Sequence, residues 1–220
     1  MNLRDWTHEI RMTGIAFADF LDSKGIHFSL SSSGEYFVQL SNGITFKLYT
    51  NRSGNNRIVL PSSTCDELSE KLLFAWEEFN GRTYGGIHLF VDGSFRDNAA
   101  GYGVVVISEK RIEEKIKGCV RENLEMRNVI GEIEGVIQGL SYCLNKGYKR
   151  VKIHYDYEGL KSWKTGEWKA KNESTRKYRD LLDKLSADIN IEWVKVKSHV
   201  GDTFNEIADK LAKKAVEECF

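Results

Sequence analysis

Four acidic residues stand where carboxylate chemistry is expected: Asp92, Glu132, Asp156 and Asp209. Asp92 closes a nearly continuous apolar run, Ile87–Asp92, that reads as a central strand, and Asp156 follows a second such run, Val151–Tyr155. If these strands are parallel neighbours, both carboxylates emerge at one sheet edge, where α/β folds build ligand and metal sites. Taken singly, each Asp reads better as the cap of the turn or helix that follows. Glu132 lies in a helical segment, Asn128–Leu144, with an apolar stripe at Ile130, Ile133, Val136, Ile137, Leu140 and Leu144. A helical wheel puts Glu132 at the edge of that stripe, beside Val136 and Cys143, and Glu134 on the other edge. An acid among core residues needs a compensating partner. Asp209 borders the stripe of the last helix, next to Val216, while Glu206 points away; the wheel alone also permits a surface acid there. Four converging carboxylates raise one another's pKa values. Divalent cations remove that cost, and oxygen-only donors favour Mg²⁺ or Mn²⁺ over zinc. Two such ions about 3.5–4 Å apart suit phosphodiester cleavage.

The elements that must position these residues fall into two parts. The second part is predicted to contain strands at Ile87–Asp92, Gly101–Ser108, Ile112–Val120, Val151–Tyr155 and Ile189–Val196. Helices are predicted at Asn128–Leu144, Tyr157–Lys164, Glu173–Leu185 and Asn205–Glu218. This order predicts an α/β domain over 87–220, a mixed five-stranded sheet flanked by helices. The first part, 1–80, reads as a smaller α+β domain. It has a helix over 3–22, strands at Ile26–Ser31, Glu35–Leu40, Ile44–Tyr49 and Arg57–Leu60, and a helix over Thr64–Phe79. Ser33-Gly34 and Asn42-Gly43 are its expected turns, and residues 81–86 are the expected linker.

Bulk properties exclude little. The chain has 220 residues, 32 Lys+Arg and 32 Asp+Glu, so only local patches speak for or against a nucleic-acid partner. The N-terminus has no apolar signal core, and no run of about 18 apolar residues predicts a membrane span. Cys65, Cys119, Cys143 and Cys219 are far apart and show no CxxC pairing. That pattern fits reduced thiols in a cytoplasmic protein better than a disulfide framework or a zinc site.

The motifs around the acids are Val91-Asp92-Gly93-Ser94, Gly101-Tyr102-Gly103-Val104 and Met126-Arg127-Asn128-Val129-Ile130-Gly131-Glu132. They continue with Tyr155-Asp156, Val194-Lys195-Val196-Lys197-Ser198-His199-Val200-Gly201-Asp202 and Asn205-Glu206-Ile207-Ala208-Asp209. In order and spacing this set resembles the type 1 ribonuclease H family over about Ile87 to Cys219. The resemblance implies an endonuclease that hydrolyses the RNA strand of RNA–DNA hybrids, leaving 5′-phosphate and 3′-hydroxyl ends. It places two Mg²⁺ ions, with Mn²⁺ as a substitute, on Asp92, Glu132, Asp156 and Asp209. His199 falls on the family's proton-shuttling or product-release histidine, a role its ordinary pKa range suits. From the residue alone, His199 is a loop histidine without a task. Gly93, Ser94, Arg127 and Asn128 fall where 2′-hydroxyls are read, and Asn98 is a candidate phosphate contact. Asn205 reads as a helix N-cap from the residue alone, and the resemblance implies that it also helps position substrate. The sequence departs from the family at Arg127-Asn128-Val129, where many members carry an Asn-Asn pair. A non-catalytic protein of the same fold would lack one of the acids, and none is lacking.

Residues 161–179 hold seven cations against two acids, interleaved with Trp163, Trp168 and Tyr178. This pattern reads either as a nucleic-acid groove, with Trp163, Lys164 and Trp168 as contacts, or as a solvated helix face over core tryptophans. Up to Thr83 the chain carries 8 Lys+Arg and 10 Asp+Glu, a net of −2. Its helix–strands–helix order resembles double-stranded-RNA-binding modules. Its last helix, with Asp66, Glu67, Glu70, Glu77 and Glu78, is acidic where a phosphate-facing helix should be basic. Lys47, Arg52 and Arg57 remain candidate contacts. Hybrid binding, self-association and a protein partner all stay open for this part.

Overall fold

The computed structural model describes residues 5–196 and 202–220. The chain divides into two compact units, Met1–Thr83 and Tyr84–Phe220.

In the first unit, helix α1 (Trp6–Asp22) starts at Asp5, whose Oδ1 accepts from the His8 N–H at 3.0 Å. Strands β1 (Ser29–Gly34), β2 (Phe37–Asn42), β3 (Ile44–Thr50) and β4 (Asn56–Val59) form an antiparallel meander in that order, and helix α2 (Asp66–Phe79) follows. Alternation drives the packing. Val38, Leu40, Phe46, Leu48 and Ile58 point inward onto Phe17, Leu21, Leu72 and Trp76 of the two helices. The Phe17 and Trp76 rings meet edge to face with centroids 5.1 Å apart. Asn42-Gly43 does turn the chain, with Gly43 at φ +74°. The first strand lies later than expected, because its serines carry no apolar alternation of their own. Pairing with β2, Leu30 to Leu40 and Ser33 to Val38, sets its register, and the turn falls on Glu35-Tyr36.

In the second unit, β5 (Ile87–Arg96), β6 (Ala99–Ser108) and β7 (Arg111–Val120) are antiparallel. β8 (Arg150–Tyr155) runs parallel to β5, and β9 (Asn190–Lys195) runs parallel to β8. The sheet order is β7-β6-β5-β8-β9. Helices α3 (Asn128–Asn145), α4 (Gly159–Thr165), α5 (Glu173–Leu185) and α6 (Thr203–Glu217) complete it. This is the mixed five-stranded α/β sheet that the residue patterns predict. Leu89, Val91, Val104 and Val106 face α3, while Phe90 on the opposite face meets Phe204 of α6, ring centroids 5.5 Å apart. Tyr84, in the segment read as a linker, is buried, with its ring edge-on to Phe204 at 5.2 Å.

Glycines let both helices come down onto the strands. A Cβ on Gly103 would lie 2.1 Å from the Ala208 carbonyl oxygen, and one on Gly101 would lie 2.3 Å from that of Ala212. A Cβ on Gly93 would lie 2.2 Å from the Asn128 carbonyl oxygen, and one on Gly131 would lie 2.1 Å from that of Gly101. Side chains at these four positions would lift α6 and α3 off the sheet.

The four cysteines are not all reduced thiols. Cys119, near the end of β7, is bonded to Cys219, just beyond α6, across 100 residues of sequence, while Cys65 and Cys143 are free thiols. Sequence separation hid the pair, because α6 returns the C-terminus to the sheet's β7 edge. The Arg121 guanidinium reinforces the closure, lying 4.7 Å from the Phe220 ring centroid. Thiol reduction therefore no longer argues for a cytoplasmic location. Among the described residues no helix is long and apolar enough to cross a membrane. Reducing the disulfide, or Cys219→Ser, is expected to cost about 2–4 kcal/mol and lower the melting temperature of this unit by roughly 5–10 °C. Calorimetry with and without a dithiol reductant checks this; unchanged melting would contradict a stabilising crosslink.

Candidate active site

Asp92 does not end its strand. β5 continues to Arg96 in its antiparallel pairing with β6, whereas its parallel pairing with β8 stops at Phe90 opposite His154. Asp92 and Asp156 each lie two residues past that last pair, so both carboxylates sit where β5 and β8 part. Beneath them His154 stacks on Phe90, centroids 4.0 Å apart, and His88 Nδ1 meets His154 Nε2 at 2.8 Å. Burial lowers the pKa of both histidines, that of His154 to about 3, so they form a neutral floor. The floor could have been suspected from His154-Tyr155-Asp156, a histidine facing the same way as the acid two residues on.

Glu132 comes from the first turns of α3. It is 3% exposed, and its Oε2 has no hydrogen-bond partner. Burial first, then the charges of Asp156 and Asp92, push its carboxyl up to about 9. Asp92 is 7% exposed and is pushed up to about 7 by burial first, then by Asp156 and Asp209. The Gly93 N–H donates to Asp92 Oδ1 at 2.7 Å, which partly offsets the rise. Asp209, on α6, is half-buried and its Oδ2 accepts from Lys213 Nζ at 2.7 Å.

The four predicted acids thus come from β5, the end of β8, α3 and α6, close enough to shift Asp92 and Glu132 upward. Among the described residues no group of three or more acidic, histidine or cysteine side chains is already arranged to hold a metal ion. Asp209 is turned onto Lys213. The donors nevertheless fit hard divalent cations: they are all oxygens, two are deeply buried, and one buried oxygen has nothing to bond.

Asn205 differs from its expected role as a cap. The cap of α6 is Asp202, which accepts from the Phe204 and Asn205 N–H groups, each at 3.2 Å. Asn205 is 6% exposed and its Nδ2 donates to Asp92 Oδ2 at 3.4 Å, so it positions the acid. Its Oδ1 is also buried without a partner.

The basic segment resolves unevenly. Trp163 is 6% exposed in the core, edge-on to Tyr178, and cannot be a substrate contact. Lys164 donates to Asp183 and to Ser186 Oγ, tying α4 to the end of α5. Lys161, Lys177 and Arg179 pair with Glu167, Glu173 and Asp180. Trp168, 44% exposed, presents its ring beside Tyr157. Gly93 and Ser94 follow Asp92 on β5 and are partly exposed. Arg127 and Asn128 are exposed at the start of α3, Arg127 with φ +50° and ψ −124°, which strains a non-glycine residue. Asn98 is exposed in the two-residue β5–β6 turn, where both Asp97 and Asn98 have positive φ. His199 lies outside the described residues.

Comparison with known proteins bears on the family and fold of the second unit. The RNase H family model matches residues 85–217. The ribonuclease H of Treponema denticola is 28% identical over 156 residues, covering 60% of this chain and 98% of its own. That of Anaplasma marginale is 31% identical over 140 residues, covering 60% of this chain and 90% of its own. The crystal structure of LC11-RNase H1 in complex with RNA/DNA hybrid has the same fold, with a TM-score of 0.53 at 22% identity. It covers 60% of this chain and 98% of its own. A family match that spans more than half of the chain and lies wholly within the second unit shows that this chain belongs to the RNase H family and is a ribonuclease H hydrolase.

Proposed function

We propose that the second unit is an endonuclease for the RNA strand of RNA–DNA hybrids, yielding 5′-phosphate and 3′-hydroxyl ends. Two Mg²⁺ ions, or Mn²⁺ in their place, would be held by Asp92, Glu132, Asp156 and Asp209. The observation that carries this reading is the buried pair Asp92 and Glu132, facing further carboxylates with one oxygen unbonded. The family and the RNA/DNA hybrid bound to LC11-RNase H1 support the hybrid substrate. When bound, the cations supply Lewis acidity to an attacking water and to the leaving 3′ oxygen.

The chain's own residues do the rest. The Asn205 amide holds one Asp92 oxygen and leaves the carboxylate oriented. Lys213 holds Asp209 in reserve through a one-turn contact that is screened and easily exchanged. Gly93, Ser94, Arg127 and Asn128 flank Asp92 and Glu132 in sequence and offer polar groups for 2′-hydroxyls. Asn98 is assigned to a phosphate and the Trp168 ring to the nucleic-acid backbone or sugar. His199 is assigned the proton that must reach or leave the reacting oxygens.

Two predictions test this. With Mg²⁺ and a labelled hybrid, Asp92→Asn and Glu132→Gln are expected to lower hydrolysis by at least about a thousandfold. Undiminished cleavage by either variant would sink the assignment. The second prediction concerns the metal-free protein. Both folded-state pKa values lie above the unfolded ones, so the native state holds the extra protons. Stability then falls as pH rises from about 4 through 7 to 9. The loss at Asp92 alone is on the order of 4 kcal/mol, at about 1.4 kcal/mol per pH unit. In EDTA the melting temperature should drop between pH 5 and 9. Mg²⁺ should restore it most at high pH, and Asp92→Asn should melt higher than wild type at pH 8. A flat pH profile would contradict the burial of charged carboxylates.

A further inference from the structure

We propose that the open face of the first unit's sheet binds single-stranded nucleic acid. This inference does not depend on the hydrolysis assigned to the second unit. Alternation sends one set of strand residues into the core and the other set away from both helices. Two rows of outward side chains cross the strands. One runs from Phe37 to Tyr49 to Arg57, and the other from Gln39 to Lys47 to Val59. The Phe37 and Tyr49 rings are 6.0 Å apart, and each carries a cation: Lys47 Nζ is 4.9 Å from the Phe37 centroid and the Arg57 guanidinium is 5.6 Å from that of Tyr49. A Cβ on Gly34 would meet the Phe37 ring at 2.5 Å, so glycine there lets the ring lie across the neighbouring strand. Arg57 is exposed, as is Val59 at 40%.

Charge segregation identifies the occupant. The four strands contain no Asp or Glu. Of the ten acids in residues 1–83, nine belong to α1, its cap Asp5, or α2, and the tenth is Glu35 in the β1–β2 turn. The net of −2 therefore hides a polar module with acidic helices and a sheet face that offers cations, hydroxyls and rings. Arg52, in the loop after β3, adds a third cation. Cross-strand ring and cation pairs stabilise a sheet by themselves, but sheet stability does not require carboxylates to be kept off one face. A polyanion with flat rings would be favoured by such a face. Bases stacked inside a duplex cannot lie on protein rings, whereas unpaired bases can, at about 1–3 kcal/mol each. The acidic α2 excludes the helix-led docking of a double-stranded-RNA module, and the sheet has no such obstacle.

The test is fluorescence anisotropy of the full chain with oligo-dT and oligo-U in EDTA, where no cleavage intervenes. Lys47→Glu with Arg57→Glu should weaken binding of both probes at least about tenfold. It should also make log K against log salt shallower by about 1.4, the share of two phosphate contacts on a single strand. Phe37→Leu with Tyr49→Leu keeps the apolar area and serves if the charge reversals disturb folding. It should weaken binding severalfold with the salt slope unchanged. Wild-type affinity in either variant, with its melting temperature intact, would overturn the proposal. So would wild-type protein binding a blunt hybrid duplex as tightly through these residues as a single strand.

Discussion

Everything at the site depends on how closely two helices approach the sheet. α3 rests on β5 and β6 where Gly93, Gly101 and Gly131 leave backbone against backbone, and α6 rests on β6 through Gly101 and Gly103. Acids on four separate elements can act together only if those elements meet at van der Waals distance. Glu132 follows Gly131 directly, and Asp209 follows Ala208, whose carbonyl touches Gly103. The same contacts that close the core therefore deliver the carboxylates. A single methyl group at any of these positions would move a helix and its acid together.

That closeness has an energetic consequence. Asp92 and Glu132 are buried among negative charges, and in the absence of cations they hold protons that an exposed carboxyl would release. The fold is thus under-stabilised at its centre above neutral pH, and a large aromatic and aliphatic core carries that cost. Divalent cations held there, as proposed, would reverse the balance and would link metal affinity to folding stability through the same two side chains. The crosslink from Cys119 to Cys219 acts at the far end of α6, holding the helix that carries Asn205 and Asp209.

Much of this was legible in the residues. Periodicity places the helices and most strands within a few positions, and the helical wheel, with its core neighbours, selects Glu132 over Glu134, as does the motif. What stayed hidden was non-local. Strand β5 runs past Asp92 because β6 pairs with its polar end, which apolar patterning does not register. The serine-rich β1 takes its register from β2. Trp163 and Trp168 look alike in sequence, yet one fills the core beside Tyr178 and the other faces solvent. Asn205 reads as a cap, but Asp202 caps the helix and frees the amide for Asp92. The disulfide is invisible at a separation of 100 residues. In the first unit, net charge concealed a sheet face without acids, because composition averages over faces that the fold separates.

The claim on which the rest turns is that Asp92, Glu132, Asp156 and Asp209 form one cation site. Anomalous diffraction from crystals soaked in Mn²⁺ tests it directly. The account predicts anomalous peaks among the carboxylates of Asp92, Glu132, Asp156 and Asp209, and none at that place in Asp92→Asn. Mn²⁺ bound elsewhere, or absent from these carboxylates at millimolar concentration, would contradict it.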